Sequence, residues 1–210
     1  MPLIADRLVR AMAEETQRRQ RFHEEDKPVL KSEFINGKVV LKSPPAGPHM
    51  ATMGALGCLV AAYVPNYVKG WQALGKVKMS LACNDYDPDL MFFREEKART
   101  FKKDQRLLPA ADFVIEVLSP CTEEIDRGIK MRDYAEHGVE EYWLVDPIEC
   151  SVEQYLLGSA GKFVLHEKRH EGVIHCRVLK GFAMPLRAIF DLAENAKTAM
   201  ALIVDYVQRA

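Results

Sequence analysis

Two acids sit in runs that are otherwise built for a protein interior. Asp89 follows Pro88 and opens the apolar run to Phe93, and Glu116 is lodged inside the β-branched and apolar run from Asp112 to Leu118. Both runs read as strands, where an unpaired charge is strongly disfavoured. A lysine or arginine neighbour would relieve it, and so would a register that turns one of the acids into water. The third possibility is chemical. If adjacent strands set Asp89 beside Glu116, their repulsion at low effective dielectric is relieved by a hard divalent cation. Two carboxylates and a backbone carbonyl then form a magnesium site. One helical turn separates Asp126 from Lys130, on a stretch that also carries Arg127, Arg132 and Asp133 around Ile125 and Ile129. A solvated i,i+4 salt bridge explains the pair. In the functional reading, Lys130 points back over the end of the Glu116 strand, where an ammonium orients a water or offsets phosphate charge.

Two further patterns imitate metal sites. His166 and His170 frame an H-E-x-x-H sequence, which binds zinc only when a helix brings both rings to one face. Phe163 to Leu165 before it and Gly172 to Ile174 after it read as a hairpin, and a strand would hold the rings about 13 Å apart. Asp85, Asp87 and Asp89 with Glu96 have the spacing of a calcium loop, but Leu90 stands where the sharp turn requires glycine. The surviving feature is Asp89 at the head of a buried strand.

The elements that must position these residues are legible from periodicity. Ile4, Leu8 and Met12 mark a short amphipathic helix, followed by a solvated charged linker from Gln17 to Asp26. Asn36-Gly37 between two β-prone runs is a strong hairpin signal. A helix over 49–64 carries small residues at Gly54, Gly57, Cys58 and Ala61 for close packing on a sheet, and is shorter than the roughly 20 residues a bilayer span needs. From 76 to 81, Val77, Met79 and Leu81 alternate inward against Lys76, Lys78 and Ser80 outward. Thr122 is the expected N-cap of a helix running to His137, and Gly138 stops it. Residues 141–145 form another buried strand, so strand, helix and strand make a crossover unit. Alternating strands follow at 152–157, 162–170 and 173–179, and a final helix runs from about Pro185 to Gln208.

The chain has 210 residues, 48% hydrophobic and 28% charged, with 29 basic against 30 acidic residues. That composition excludes a disordered or collagenous chain. A net charge of −1 supplies no global field for nucleic acid or an anionic membrane, so any polyanion must meet a local patch. The segment Arg94 to Arg106, with six basic residues against three acidic, is such a patch or simply an exposed segment. Five cysteines, odd in number and widely spaced, read as core or neutral thiols in a reducing compartment. Asp6, Arg7 and Arg10 leave no apolar signal segment, and the expected location is cytoplasmic, with no membrane partner.

Taken in order, these residues resemble a known family. Glu33 with the following Phe-Ile-Asn-Gly-Lys, Ser43-Pro-Pro with His49, Pro88-Asp89-Leu90, the Asp112 to Ser119 strand, Lys130 with Tyr134, and Gly138 to Pro147 are similar to the large bacterial restriction-endonuclease family of the PD-(D/E)XK nuclease superfamily. The resemblance runs from Lys31 to Phe190. It implies a restriction endonuclease-like α/β fold, a mixed central β-sheet flanked by helices, here with an added β-hairpin region and a C-terminal helix. The expected organisation is a single domain over 1–210, with helix and linker at 1–30, the nuclease-like core at 31–190 and the last helix at 191–210.

The resemblance also implies residue roles. Asp89 matches the motif aspartate and Glu116 the motif glutamate. The superfamily's lysine two positions after the glutamate is Leu118 here, and Lys130 on the next helix is its match. Glu33 matches the family's glutamate before the first hairpin, a further metal- or water-binding acid, and His49 a phosphate contact. The expected activity is a DNA endonuclease in which Asp89, Glu116 and the Val117 carbonyl hold Mg²⁺, with Mn²⁺ substituting, while Lys130 positions the attacking water. The alternative is a catalytically inactive nucleic-acid-binding or assembly module retaining the fold, favoured by the displaced lysine. A homodimer is expected if two strands are cut by two active sites, and a monomer that nicks one strand fits equally well.

Overall fold

The computed structural model of the chain describes residues 2–25, 32–44, 46–75 and 77–209. Asp26, Lys31, Pro45 and Lys76, on which parts of the sequence reading fell, lie outside the described residues. The first elements are α1 (Pro2–Glu25), the hairpin β1 (Ser32–Ile35) and β2 (Lys38–Leu41), α2 (Gly47–Tyr67) and β3 (Gly70–Leu74). Next come β4 (Lys78–Ser80), β5 (Asp85–Tyr86), β6 (Leu90–Arg94), α3 (Glu95–Ala98), β7 (Leu107–Leu108) and β8 (Phe113–Val117). The crossover from β8 consists of α4 (Glu123–Ile125), a π-helical turn (Asp126–Lys130) and α5 (Met131–Glu136), and leads to β9 (Glu141–Asp146). The chain finishes with β10 (Ser151–Leu157), β11 (Phe163–Arg169), β12 (Val173–His175), β13 (Ala183–Pro185), α6 (Arg187–Phe190) and α7 (Leu192–Arg209).

The central sheet has the order β11-β10-β9-β8-β6-β3, and its β8–β9 pair is parallel, as the helical crossover requires. A five-stranded sheet, β2-β1-β5-β4-β7, and the pair β12-β13 complete the fold. Strand alternation sorts the central sheet's side chains onto two faces. Phe113, Ile115 and Val117 pack with Leu56, Leu59 and Val60 of α2. Val114 and Leu118 face the other way, against Tyr134, Tyr86 and Met79. Glu116 belongs to this second face.

The Asn36-Gly37 hairpin forms as expected, with both residues at positive φ (50° and 74°) and Ile35 paired with Lys38. Four expectations are corrected. First, α1 does not end before a solvated linker: it continues to Glu25 because the charged stretch is docked. Phe22 is buried against Phe34 at 5.7 Å, and Arg19 clasps Asp85 through two bonds of 2.7 Å. Second, Lys78 points inward, donating to the Ser32 carbonyl at 2.7 Å beneath the Phe22 ring. Third, Thr122 makes no side-chain cap and its hydroxyl meets Ser119 Oγ instead. Fourth, the last helix is two helices that break at Asp191, whose Oδ1 caps α7 through the N–H groups of Ala193 and Glu194. Of the cysteines read as core or neutral thiols, Cys176 alone is buried, while Cys58, Cys83, Cys121 and Cys150 are exposed; all are free. No described helix is long and apolar enough to cross a membrane.

Candidate active site

The register of β6 against β8 answers the question the two acids raised. Leu90 pairs with Ile115 in an antiparallel ladder, so one step further Asp89 stands across from Glu116 on the same face. Directly opposed residues of such a pair have Cβ atoms roughly 4.5–5.5 Å apart. Asp89 Oδ2 accepts the Val117 N–H at 2.9 Å, which fixes the carboxylate beside the strand that carries Glu116. His49 Nε2, on the first turn of α2, lies 3.2 Å from the same oxygen. Asp89, Glu116 and His49 line one cavity of about 150 Å³, together with Lys42, Ser119 and Thr122.

Behind the cavity lies a cluster of buried charge. The π-helical turn holds Asp126 and Lys130 on its inner side, and both are buried, so the solvated salt-bridge reading of this pair fails. π-Helical turns inside helices occur frequently at functional sites. Lys130 Nζ donates to Glu116 Oε1 at 2.9 Å and sits 2.8 Å from Asp126 Oδ1 and 3.2 Å from Glu33 Oε1. Tyr134 adds a second donor to Glu116 Oε1 at 2.9 Å. Lys130 is therefore near Glu116, as its position in the sequence suggested, but it has no exposed surface and is enclosed by three acids.

Burial raises Glu116 most, Asp126 and Asp89 raise it further, and despite Lys130 and Lys42 its carboxyl is pushed up to about 7. Glu33 shows the opposite balance. Burial would raise it, but Lys130, Lys42 and the Asp87 N–H together hold it below the usual carboxylate range. Glu33 Oε1 takes Asp87 N–H at 2.9 Å and Lys42 at 2.9 Å, whereas Oε2 is buried with no hydrogen-bond partner among the described residues. Burial lowers the Lys130 ammonium, but Asp126, Glu116 and Glu33 outweigh that and keep it charged well beyond neutral pH.

The other sequence patterns fall outside this centre. His166 lies on the exposed strand β11 and His170 follows it, so the H-E-x-x-H spacing makes no shared face. Among the described residues no three His, Cys, Asp or Glu side chains form a metal-binding group of their own. Of the pseudo-calcium residues, Asp85 is committed to Arg19 and His23. In the basic segment, Arg94 closes on Asp112 and Glu140, Lys97 on Asp112, and Arg99 on Glu95. Half of its positive charge is thus engaged within the chain. Sequence reasoning passed over Lys42 and Glu141. Glu141 carried the same signal as Glu116, an acid in an apolar strand; Lys42 showed only as a lysine ending the hairpin before Ser43-Pro44.

The fold and site together define a restriction endonuclease-like protein. The chain is similar to a crystal structure described as a "putative nuclease belonging to DUF820" from Anabaena variabilis, with 20% identity, a TM-score of 0.64, and coverage of 78% of this chain and 90% of the other. At that identity the likeness carries the architecture: mixed sheets flanked by helices. The family model Uma2, "Putative restriction endonuclease", matches residues 13–187, and the chain belongs to that family. No curated protein matches it.

Proposed function

We propose that this chain is a divalent-metal-dependent endonuclease that hydrolyses DNA phosphodiester bonds, with Asp89, Glu116 and the Val117 carbonyl as the metal-holding set. The observation that carries the reading is the cross-strand placement of Asp89 and Glu116 on one face, lining one cavity. The donors fit Mg²⁺ or Mn²⁺: they are hard oxygens, and Glu116 is a buried carboxyl whose neighbours Asp126 and Asp89 oppose its ionisation. A bound dication at this position supplies Lewis-acid polarisation of the phosphate and a water acidic enough to attack at neutral pH. The residues do the rest. The Val117 N–H and His49 hold Asp89 in place, and Tyr134 and Lys130 both bind Glu116 Oε1, leaving Oε2 for the ion. Lys130 acts through Glu116, offsetting enough negative charge for Glu33, Glu116 and Asp126 to remain buried together. Glu33 serves as the auxiliary acid at the edge of the cluster, and His49 stands where a phosphate would enter.

The test is plasmid nicking. Purified protein should nick DNA with Mg²⁺ or Mn²⁺, EDTA should stop it, and Asp89→Ala and Glu116→Ala should each reduce the rate by at least about a thousandfold. Retention of DNA without cleavage, indifferent to those substitutions, would favour the non-catalytic module instead. That second reading draws on the burial of Lys130 away from the cavity. Equilibrium sedimentation across a concentration series tests the proposed homodimer.

A further inference from the structure

Resting on the endonuclease reading, we infer that Lys42, not Lys130, is the cation that contacts the substrate phosphate. Negative charge dominates the cavity wall through Asp89 and Glu116, so an incoming phosphodiester needs a local positive group to approach it. Lys130 cannot supply one. Its side chain has no exposed surface, three acids surround its ammonium within 3.2 Å, and it does not line the cavity. Among the described residues, Lys42 is the one lysine or arginine that lines the cavity.

The geometry around Lys42 suits that task. It follows directly on the last residue of β2, where the hairpin arm ends and the chain turns toward α2. Its ammonium lies 2.9 Å from Glu33 Oε1 and donates to the Asp87 carbonyl at 3.1 Å. An ammonium has three N–H donors. Two are therefore anchored, which aims the group, and the third is left for a ligand in the cavity. The side chain retains 10% exposure, enough to meet a phosphate oxygen at the cavity wall while its stem stays ordered. His49 is less suited, because its Nε2 is engaged with Asp89 and its Nδ1 is buried. Lysine is a point charge on a flexible stem, so it can follow a phosphate without the fixed fork of arginine. The buried pair Glu33 and Lys130 sits behind, and Lys42 bridges it to the substrate side.

The experiment uses the full chain and four proteins: wild type, Lys42→Met, Lys42→Gln and Lys42→Arg. Binding of a fluorescently labelled 20-base-pair duplex is followed by anisotropy in Ca²⁺ over a series of salt concentrations, with melting temperature and Mg²⁺-dependent cleavage measured in parallel. Lys42→Met should weaken duplex binding by roughly three- to tenfold and reduce the slope of log K against log salt by about 0.9, the value of one lost phosphate contact. KM should rise more than kcat falls. Lys42→Gln keeps a donor for the Asp87 carbonyl, so it reports the charge alone should Lys42→Met fold poorly, and it should lose the same slope. Lys42→Arg should restore it. A purely structural lysine would lower the melting temperature and leave the salt slope intact. Unchanged slope and affinity in both neutral variants, while wild type binds and cuts, overturns this inference and leaves the nuclease reading standing. A wild-type protein that neither binds nor cuts overturns both.

Discussion

Two buried glutamates on neighbouring parallel strands have very different surroundings. Glu141, at the start of β9, receives five donors: Trp143 Nε1 at 2.7 Å and Gln154 Nε2 at 2.6 Å on one oxygen, and Cys176 Sγ at 3.1 Å with the N–H groups of Arg177 and Val178 at 2.8 Å on the other. Glu116, on β8, has two donors among the described residues, both on Oε1, and its neighbours include the like charges of Asp126 and Asp89. The first acid is satisfied by the fold itself and binds the 176–178 loop to the sheet. The second is left short of partners and facing a cavity. A buried carboxyl closed on every side serves architecture, and one that keeps an unfilled position is the kind on which the proposed chemistry draws.

The largest effect should come from breaking the closed member of the pair. Glu141→Ala leaves the Trp143 indole N–H and the backbone N–H groups of Arg177 and Val178 without their acceptor, and should cost about 3–5 kcal/mol of stability. Glu141→Gln should recover part of that loss because one acceptor oxygen remains. The denaturation midpoint reports both. A loss below about 1 kcal/mol for the alanine variant would show that the five-donor arrangement is incidental.

Glu116→Gln should act in the opposite direction. The folded-state carboxyl sits at about 7 against an ordinary 4.5, so between these values the folded protein holds a proton that the unfolded chain has released. Stability from this group is complete below about pH 4.5 and is lost as pH rises to 7. Glutamine resembles the protonated form and does not titrate. The variant should therefore match wild type at pH 5 and exceed it by on the order of 1–3 kcal/mol at pH 8. Millimolar Mg²⁺ should raise the wild-type melting temperature at pH 8 and leave the variant unmoved. Destabilisation of the variant at pH 8 would make Glu116 as well satisfied as Glu141 and remove the contrast.

A third buried acid sharpens the comparison at smaller cost. Asp85 is anchored by side chains from α1, with Arg19 on both oxygens and His23 Nε2 at 2.8 Å. Burial would raise its carboxyl, but the bonds from Arg19, Ser80 and His23 hold it below the usual range. Its contribution is present above about pH 4 and disappears as pH falls through that lowered value. Asp85→Asn should cost about 1–2 kcal/mol and speed amide hydrogen exchange in α1, with little change in the central sheet. Uniform exchange across the molecule would show that α1 is not a separate docked element.

The periodic parts of the fold were legible because local physics fixes them. Asn36-Gly37 demands positive φ, Gly138 takes the left-handed position after α5 (φ 80°), and the apolar runs at 90–94, 113–117 and 141–146 could only be buried strands. Glu116 was visible as an anomaly for the same reason. The strand expected over 173–179 stops at His175, and beyond Cys176 the N–H groups of Arg177 and Val178 turn to Glu141 on a different strand. The charged stretch after Met12 stayed helical because Arg19 and His23 found Asp85, more than sixty positions on in the sequence, and Phe22 found Phe34 on β1. Polarity in a sequence looks like exposure until its partner is known.

By itself, then, the order of residues determined the strands that carry the two acids, the hairpin, the crossover and the presence of two acids in apolar surroundings, while β3, β5, β7 and β13 emerged only in the fold. Tertiary structure alone decided that Asp89 and Glu116 share a face, that Lys130 is walled in by three acids, and that Lys42 fronts the cavity. The reason is that secondary structure follows from spacing along a few residues, whereas the value of a charge depends on what surrounds it in space. Desolvation and Coulomb interactions are summed over neighbours that the chain brings together only on folding.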